Sequence, residues 1–375
     1  MKVYLDNAAT TPLDEKVLAE ILPVLKGTYG NPSSIHTEGR KARSLIEISR
    51  KKVAEILNTS PSEIFFTSGG TEADNMAIWQ SVKDLGVKKI ITSPIEHHAV
   101  LHTIEMLDNR GEIAVEYVQL LEDGHVDLNH LETLLVQSEV TTLVSLMHAN
   151  NEIGNLLDIK KVGELCREHR AYFHSDTVQT VGHYNIDLQD LKVDFITGSA
   201  HKFHGPKGVG FLYINNRLKI SPLIYGGAQE RNMRGGTENI YGIVGLAKAL
   251  EIATTHMEEH KNYISGLKDY MIDQLRKVIP EVNFNGAYDK QSLYTVLSVC
   301  LPESEKGEML LFSLDIAGIS ASAGSACSSG TDIGSHVLRA IKTDMKRPSI
   351  RFSFSKYNTK TEIDYCVEKL REVIN

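Results

Sequence analysis

The chain has 375 residues, 42% of them hydrophobic and 23% charged; that length suits two domains, and the composition excludes a disordered or collagen-like chain. The formal net charge is -8 and no run of Lys and Arg is dense enough to track phosphates, so nucleic acid is excluded as the expected partner. No apolar stretch has the length of a signal-peptide core or of a spanning helix, so no membrane is expected and the cytoplasm is the expected compartment.

Ala42, Leu45, Ile46, Ser49, Val53, Ile56 and Leu57 recur at a 3.6-residue period and predict an amphipathic helix. A series of short, continuously apolar runs follows: IFFT at 64–67, KIIT at 89–92, TTLVSLM at 141–147, AYFHSD at 171–176, DFITGSA at 194–200 and VGFLYI at 209–214. Runs of this kind are expected of strands buried on both faces, and with helical patterns between them they predict an α/β fold on a mostly parallel sheet. After Ala253 the pattern changes to a charged helix at 262–279, a strand near 293–301, a helix from Gly307, a small-residue loop and the run SIRFSFS. This predicts a smaller α+β domain formed by residues 1–13 and 254–375, beside a large domain of residues 14–253. Thr359 and Glu362 have capping-box spacing at the start of a last helix that packs through Ile363, Val367, Leu370 and Val373.

Four segments carry chemistry. In TSGGTEADN a strand ends, Gly69 and Gly70 turn, and a helix begins near Thr71, so its N–H groups face either an anion or only a tight turn. The pattern is neither GxGxxG nor GxxxxGK[ST], which argues against a dinucleotide or a nucleoside triphosphate. In SAHKFHGPKG, Lys202 follows a buried strand, where desolvation suits a Schiff-base lysine, while Lys207 sits in a turn that is expected to be solvated. In HSDTVQ, Asp176 lies at a strand's C-terminal end, as a helix N-cap or as the partner of a pyridinium nitrogen, with Gln179 one turn on to meet a ring hydroxyl.

The fourth segment is GSACSSG, a loop of small residues around Cys327, where a reactive thiol is the favoured reading. Cys166, Cys300 and Cys366 are expected to be buried and inert. The four cysteines form no CxxC pair, so no disulfide framework and no cysteine-ligated zinc or iron–sulfur site is encoded by spacing. His98 and His102 at i, i+4, with Glu96 and His97, offer a zinc site as a weaker alternative.

With YLDNAATTP, GNPSSIH, TSGGTEADN, EHHAV, MHANNEIG, HSDTVQ, AHKFHGPKGVG, RGGTEN, GSACSSG and SIRFSF in this order, the sequence resembles the NifS/IscS-type cysteine desulfurases over essentially its whole length. These belong to the class V aminotransferase-like group of fold-type I pyridoxal-phosphate enzymes, whose large domain has a seven-stranded sheet. The resemblance implies a homodimer that removes sulfur from L-cysteine, leaving alanine and a persulfide on Cys327, with the sulfur passed to an iron–sulfur scaffold or another acceptor protein. Lys202 would bind the cofactor covalently and act as base, Asp176 pair with its ring nitrogen, Gln179 meet its hydroxyl and His97 stack on the ring and assist proton movement. Gly70, Thr71, Ser199 and His201 would hold the phosphate, joined by Thr237 of RGGTEN reaching into the neighbouring subunit. Asn151 and Arg351 would bind the substrate carboxylate, the latter through its planar fork. The Cys327 thiolate is also a possible transient iron–sulfur ligand. A selenocysteine lyase or an aminotransferase would share most of these residues, and the aminotransferase would not need Cys327. A pyridoxal-phosphate fold that has lost its chemistry would be expected to lack Lys202, Asp176 or Cys327, and all three are present.

Overall fold

The computed structural model describes residues 1–289, 291–304, 307–323 and 334–374. Its large sheet has seven strands in the spatial order Ile64–Thr67, Gly210–Ile214, Phe195–Ser199, Tyr172–Asp176, Thr142–Ser145, Lys89–Thr92 and Ala114–Tyr117. Gly210–Ile214 runs antiparallel to both of its neighbours and the other pairings are parallel, so the remaining six strands point one way. Their C-terminal ends, Thr67, Thr92, Ser145, Asp176 and Ser199 among them, therefore share one edge, where open α/β sheets bind ligands.

The continuous apolar runs became strands because helices cover both faces of this sheet. Helices Glu15–Gly27, Thr37–Ile56 and Ile240–Thr255 bury Val17, Ile21, Ala42, Ile46, Val53 and Leu250 with Phe173, Ile196 and Phe211 in one core. On the opposite face, Gly70–Asp84 and His98–Asn109 bury Met76, Ile78, Val100 and Ile104. The strand Ala114–Tyr117 was not anticipated. It lies at the sheet edge with its ends exposed, so its sequence, AVEY, lacks the solid apolar run.

A second core is built on the four-stranded antiparallel sheet Ser322–Ala323, Ser349–Ser353, Val296–Cys300 and Asn283–Phe284. Helices Met257–Val278 and Lys360–Ile374 pack there through Leu267, Met271, Leu275, Ile363 and Leu370, and Val3 and Leu5 join them from the start of the chain. The charged helix thus begins five residues before the expected 262 (262 − 257 = 5). The last helix has its capping box, with Thr359 N donating to Glu362 at 2.7 Å and Glu362 N to Thr359 Oγ1 at 3.3 Å. Losing such a cap costs about 1 kcal/mol.

Candidate active site

The strand ends open onto a cavity of about 420 Å³ that gathers most of the candidate residues: Gly70, Thr71, His97, Asn151, Asp176, Gln179, Ser199, His201, Lys202 and Arg351 all line it. At one end, Gly69 caps the helix Gly70–Asp84 with φ 156°, ψ -175°, a conformation essentially confined to glycine. A Cβ on Gly70 would sit 2.7 Å from Val178 Cγ2, so the close approach of this turn to the Asp176 segment also requires glycine. The helix start leaves backbone N–H groups directed at the cavity with Thr71 and Ser199 beside them. His201 Nδ1 pairs with Thr10 Oγ1 at 3.1 Å, which leaves Nε2 to face a ligand. Burial, with Lys202 and Lys207 adding to it, pulls this imidazole down to about 4, so it is neutral at pH 7.

Lys202 ends the short turn Ala200–Lys202 that follows the strand Phe195–Ser199. Its Nζ donates to the carbonyls of Ala8 and Ala9, the latter at 2.9 Å. Burial lowers its pKa to about 8, Arg351 pushes the same way, and Asp176 and Asp6 oppose them. An amine so held is neutral often enough near pH 8 to act as a nucleophile or a base. Lys207 is exposed, as expected of its turn.

Asp176 is the last residue of its strand and accepts the Val178 N–H at 2.9 Å. No helix follows it, so the N-cap alternative falls. Burial and the nearby Asp74 raise its pKa to about 6, against His97, the Val178 N–H and His174. Behind it, His174 Nε2 lies 3.3 Å from Asp74 Oδ1 and its Nδ1 2.8 Å from Ser145 Oγ. Burial keeps His174 neutral, down at about 4, and raises Asp74 to about 7. His97 caps the helix His98–Asn109, its Nδ1 accepting the Ala99 N–H at 3.1 Å. Its pKa is lowered by burial, which outweighs Asp176, with Lys202, His98 and His336 adding to the burial. Gln179 turns its amide nitrogen to the Ala8 carbonyl at 3.0 Å.

At the other end, Arg351 on the strand Ser349–Ser353 donates to Asn151 O at 2.8 Å and Asp6 Oδ1 at 2.9 Å, while its buried Nε has no hydrogen-bond partner among the described residues. Thr237 is exposed and is not among the residues lining this cavity. Cys327 lies outside the described residues; Cys166, Cys300 and Cys366 are buried. The zinc alternative is overturned: among the described residues no group of three or more His, Cys, Asp or Glu is arranged to hold a metal. Glu96 is instead buried and accepts the Met147 N–H at 3.0 Å.

Sequence reading missed the parts played by Asp6, Ala8, Ala9 and Asp74. The first three lie within DNAATTP, quoted above with no role attached, and their partners are far along the chain.

The donor set fits pyridoxal 5'-phosphate: an amine of lowered pKa, a buried carboxylate for a ring nitrogen, an imidazole at the wall and a helix N-terminus for a phosphate. The family model described as aminotransferase class-V matches residues 3–366. Cysteine desulfurase IscS of Dictyoglomus turgidum is 44% identical, covering 100% of this chain and 94% of that protein. Putative cysteine desulfurase IscS 1 of Bacillus subtilis is 42% identical, covering 100% and 98%. Among solved structures, a NifS-like protein superposes with a TM-score of 0.92 at 40% identity, covering 100% of this chain and 99% of that one. A structure described as SspA in complex with cysteine gives 0.80 at 31% identity, covering 96% and 100%. With a match that runs almost from end to end and relatives above 40% identity along the full length, this chain belongs to the class-V aminotransferase family, whose members work with pyridoxal 5'-phosphate.

Proposed function

We propose that the chain is a pyridoxal-phosphate-dependent cysteine desulfurase that transfers the sulfur of L-cysteine to Cys327 as a persulfide and releases L-alanine. The observation that carries this reading is that the described residues on either side of 324–333 are held beside the cavity. On one side, Ser322 pairs in register with Arg351 and donates to Asp6 at 2.7 Å. On the other, Ser335 Oγ donates to Glu152 and His336 Nε2 lies 2.9 Å from Glu96 O. In sequence Cys327 is five residues from Ser322 (327 − 322 = 5), and five residues of chain span at most roughly 17 Å.

The bound cofactor would supply an electron sink that acidifies the substrate's α-carbon and weakens its β-carbon–sulfur bond. Gly70, Thr71, Ser199 and His201 would hold the phosphate. Asp176 would face the ring nitrogen as a carboxylate and favour its protonated form, while Gln179 would turn to the ring hydroxyl. Arg351 and Asn151 fix the substrate carboxylate and so aim the α-proton at Lys202. Lys202 takes that proton, and His97, neutral and facing the cavity, carries protons to and from the substrate. The Cys327 thiolate then attacks the substrate sulfur: a sulfur–sulfur bond forms as the carbon–sulfur bond breaks, the electron pair stays with carbon, the proton that left the substrate thiol is delivered to the β-carbon, and return of the proton held by Lys202 to the α-carbon yields alanine.

Thr237, exposed and outside its own chain's cavity, supports a homodimer in which it reaches the neighbouring phosphate. So does an exposed apolar stripe of Leu18, Leu22 and Leu25 on the first long helix, with Tyr29 and Ile35 beyond it at 82% and 90% exposure. In this reading residues 14–253 form the cofactor domain, while 1–13 and 254–375 form the domain that carries Cys327. The two separate hydrophobic cores support that division. The persulfide supplies iron–sulfur cluster or other sulfur-containing cofactor assembly through an acceptor protein, with Cys327 a transient iron ligand during transfer. No helix among the described residues is long and apolar enough to cross a membrane, and we place the reaction in the cytoplasm.

The test is alanine and sulfide release from L-cysteine with a reductant, comparing wild type with Cys327→Ala at equal cofactor loading. Equimolar products from wild type and a loss on the order of a hundredfold or more in the variant are expected. Undiminished activity in the variant would instead identify a lyase or an aminotransferase.

A further inference from the structure

Between the strand Gly210–Ile214 and the helix Ile240–Thr255, three consecutive residues with side chains, Glu230, Arg231 and Asn232, have φ of 44°, 57° and 66°. Residues with a Cβ visit this left-handed region singly and at a cost, so a run of three persists only where its surroundings enforce it. None of the three is glycine, although Gly226, Gly227, Gly235 and Gly236 lie close on either side.

Glu230 is the point of enforcement. Its side chain is 2% exposed and grips Arg50, also 2% exposed, through two parallel bonds of 2.6 and 2.8 Å. The same carboxylate accepts the Phe66 N–H at 2.8 Å, and Arg50 donates to Ile64 O at 2.8 Å. Four residues on, Arg234 makes a second paired contact with Glu72 at 2.9 and 3.1 Å, and Glu72 also accepts the Ser68 N–H at 2.9 Å. The segment is thus bolted twice to the elements that form its own chain's phosphate turn. Three residues beyond Arg234, Thr237 is exposed. Burying two charges returns little stability, because desolvation consumes the attraction, whereas a fully bonded pair admits one geometry.

We propose that Arg50 and Glu230 are positioning residues for the cofactor site of a second copy of this chain. By locking the left-handed turn at 230–232, the pair holds Thr237 at the position from which it contacts the phosphate bound by the partner. This rests on the shared-site dimer proposed above and deepens it: the fork of Arg50 and the carboxylate of Glu230 touch no ligand, yet they set cofactor affinity next door.

The experiment uses differently tagged mixed dimers in which one chain carries Lys202→Ala, so that only the other chain's lysine can hold cofactor. After dialysis, cofactor trapped on that lysine by borohydride is measured by mass spectrometry. Glu230→Gln in the Lys202→Ala chain is expected to lower retained cofactor by about tenfold or more, the worth of one hydrogen bond to a charged group. The same substitution in the lysine-bearing chain is expected to change it by no more than about twofold. Equal losses in both arrangements, or no loss in either, would overturn the proposal, because a purely structural role has no such asymmetry. If Glu230→Gln does not fold, Arg50→Gln/Glu230→Gln replaces it, since it leaves no buried charge unpaired. Thr237→Ala in the same dimers separates the two layers. If it fails to act across the interface, the shared-site reading falls and this proposal with it. If it acts across the interface while Glu230→Gln acts equally in both arrangements, the proposal alone falls.

Discussion

Two lysines, one in each core region, have been brought by burial to the same point. Lys202 and Lys268 each have a pKa lowered to about 8, and each is bonded to neutral oxygens: the carbonyls of Ala8 and Ala9 for one, Ser292 Oγ at 2.6 Å and the Leu293 carbonyl at 3.2 Å for the other. Their surroundings differ. Lys202 opens onto a cavity shared with Asp176, His97 and Arg351, whereas Lys268 is 3% exposed and its donors stitch the helix Met257–Val278 to Ser292 and Leu293. A lowered pKa alone therefore does not mark a nucleophile. Room for a substrate, with a carboxylate and an anion cradle at fixed positions around it, makes the difference.

The sharpest way to break this comparison is to remove each amine in turn. Lys202→Ala is expected to abolish covalent cofactor and to lower alanine production on the order of a thousandfold or more. Lys268→Met is expected to stay within about threefold of wild type, because it touches no reacting atom. A comparable loss from Lys268→Met in a turnover assay would show the two sites to be less distinct than their cavities suggest.

A smaller effect separates them by stability. A lysine whose folded pKa is lowered is protonated more readily in the unfolded chain, so wild type gains stability as the pH rises from about 8 towards 10.5. In the holoenzyme, where the proposed mechanism commits Lys202 to cofactor, Lys268→Met is expected to remove a rise of about 3 kcal/mol in urea unfolding between pH 7.5 and 10.5. Parallel curves for the two proteins would show that Lys268 is solvated. Smallest is a shift in the Lys202 titration itself. The rate at which the apoenzyme takes up cofactor is expected to rise with pH to a plateau with a midpoint near 8. Arg351→Gln, which removes the charge that helps lower this pKa, is expected to move the midpoint upwards. A midpoint that stays put in stopped-flow measurements would assign the whole depression to burial.

How much of this was legible in the sequence depended on the range of the contacts. The buried strands announced themselves as solid apolar runs because both of their faces are covered, whereas AVEY at the sheet edge carries no such mark. Lys202, Asp176 and Thr71 were legible because each sits at the junction of a strand and a turn, where local pattern and site coincide. Asp6 was not, since its meaning lies in Arg351, 345 positions away (351 − 6 = 345), and Asp74 reads as an ordinary helix residue until His174 is found beside it. The left-handed run at 230–232 was equally hidden: glycine is the usual signal for such backbone, and here ion pairs replace it.

That same long reach has a consequence for synthesis. Leu5 and Asn7 are bonded to Ser353, and Asp6 to Arg351, so the wall that receives the Lys202 amine closes when the strand Ser349–Ser353 arrives. At a ribosome's pace of about 5–20 residues per second, the first ten residues wait for tens of seconds while the large sheet can already form behind them. For that interval Lys202 stands in a site with one wall missing, and a cofactor that enters early meets the lysine and the turn at Gly69 and Gly70 before it meets the arginine.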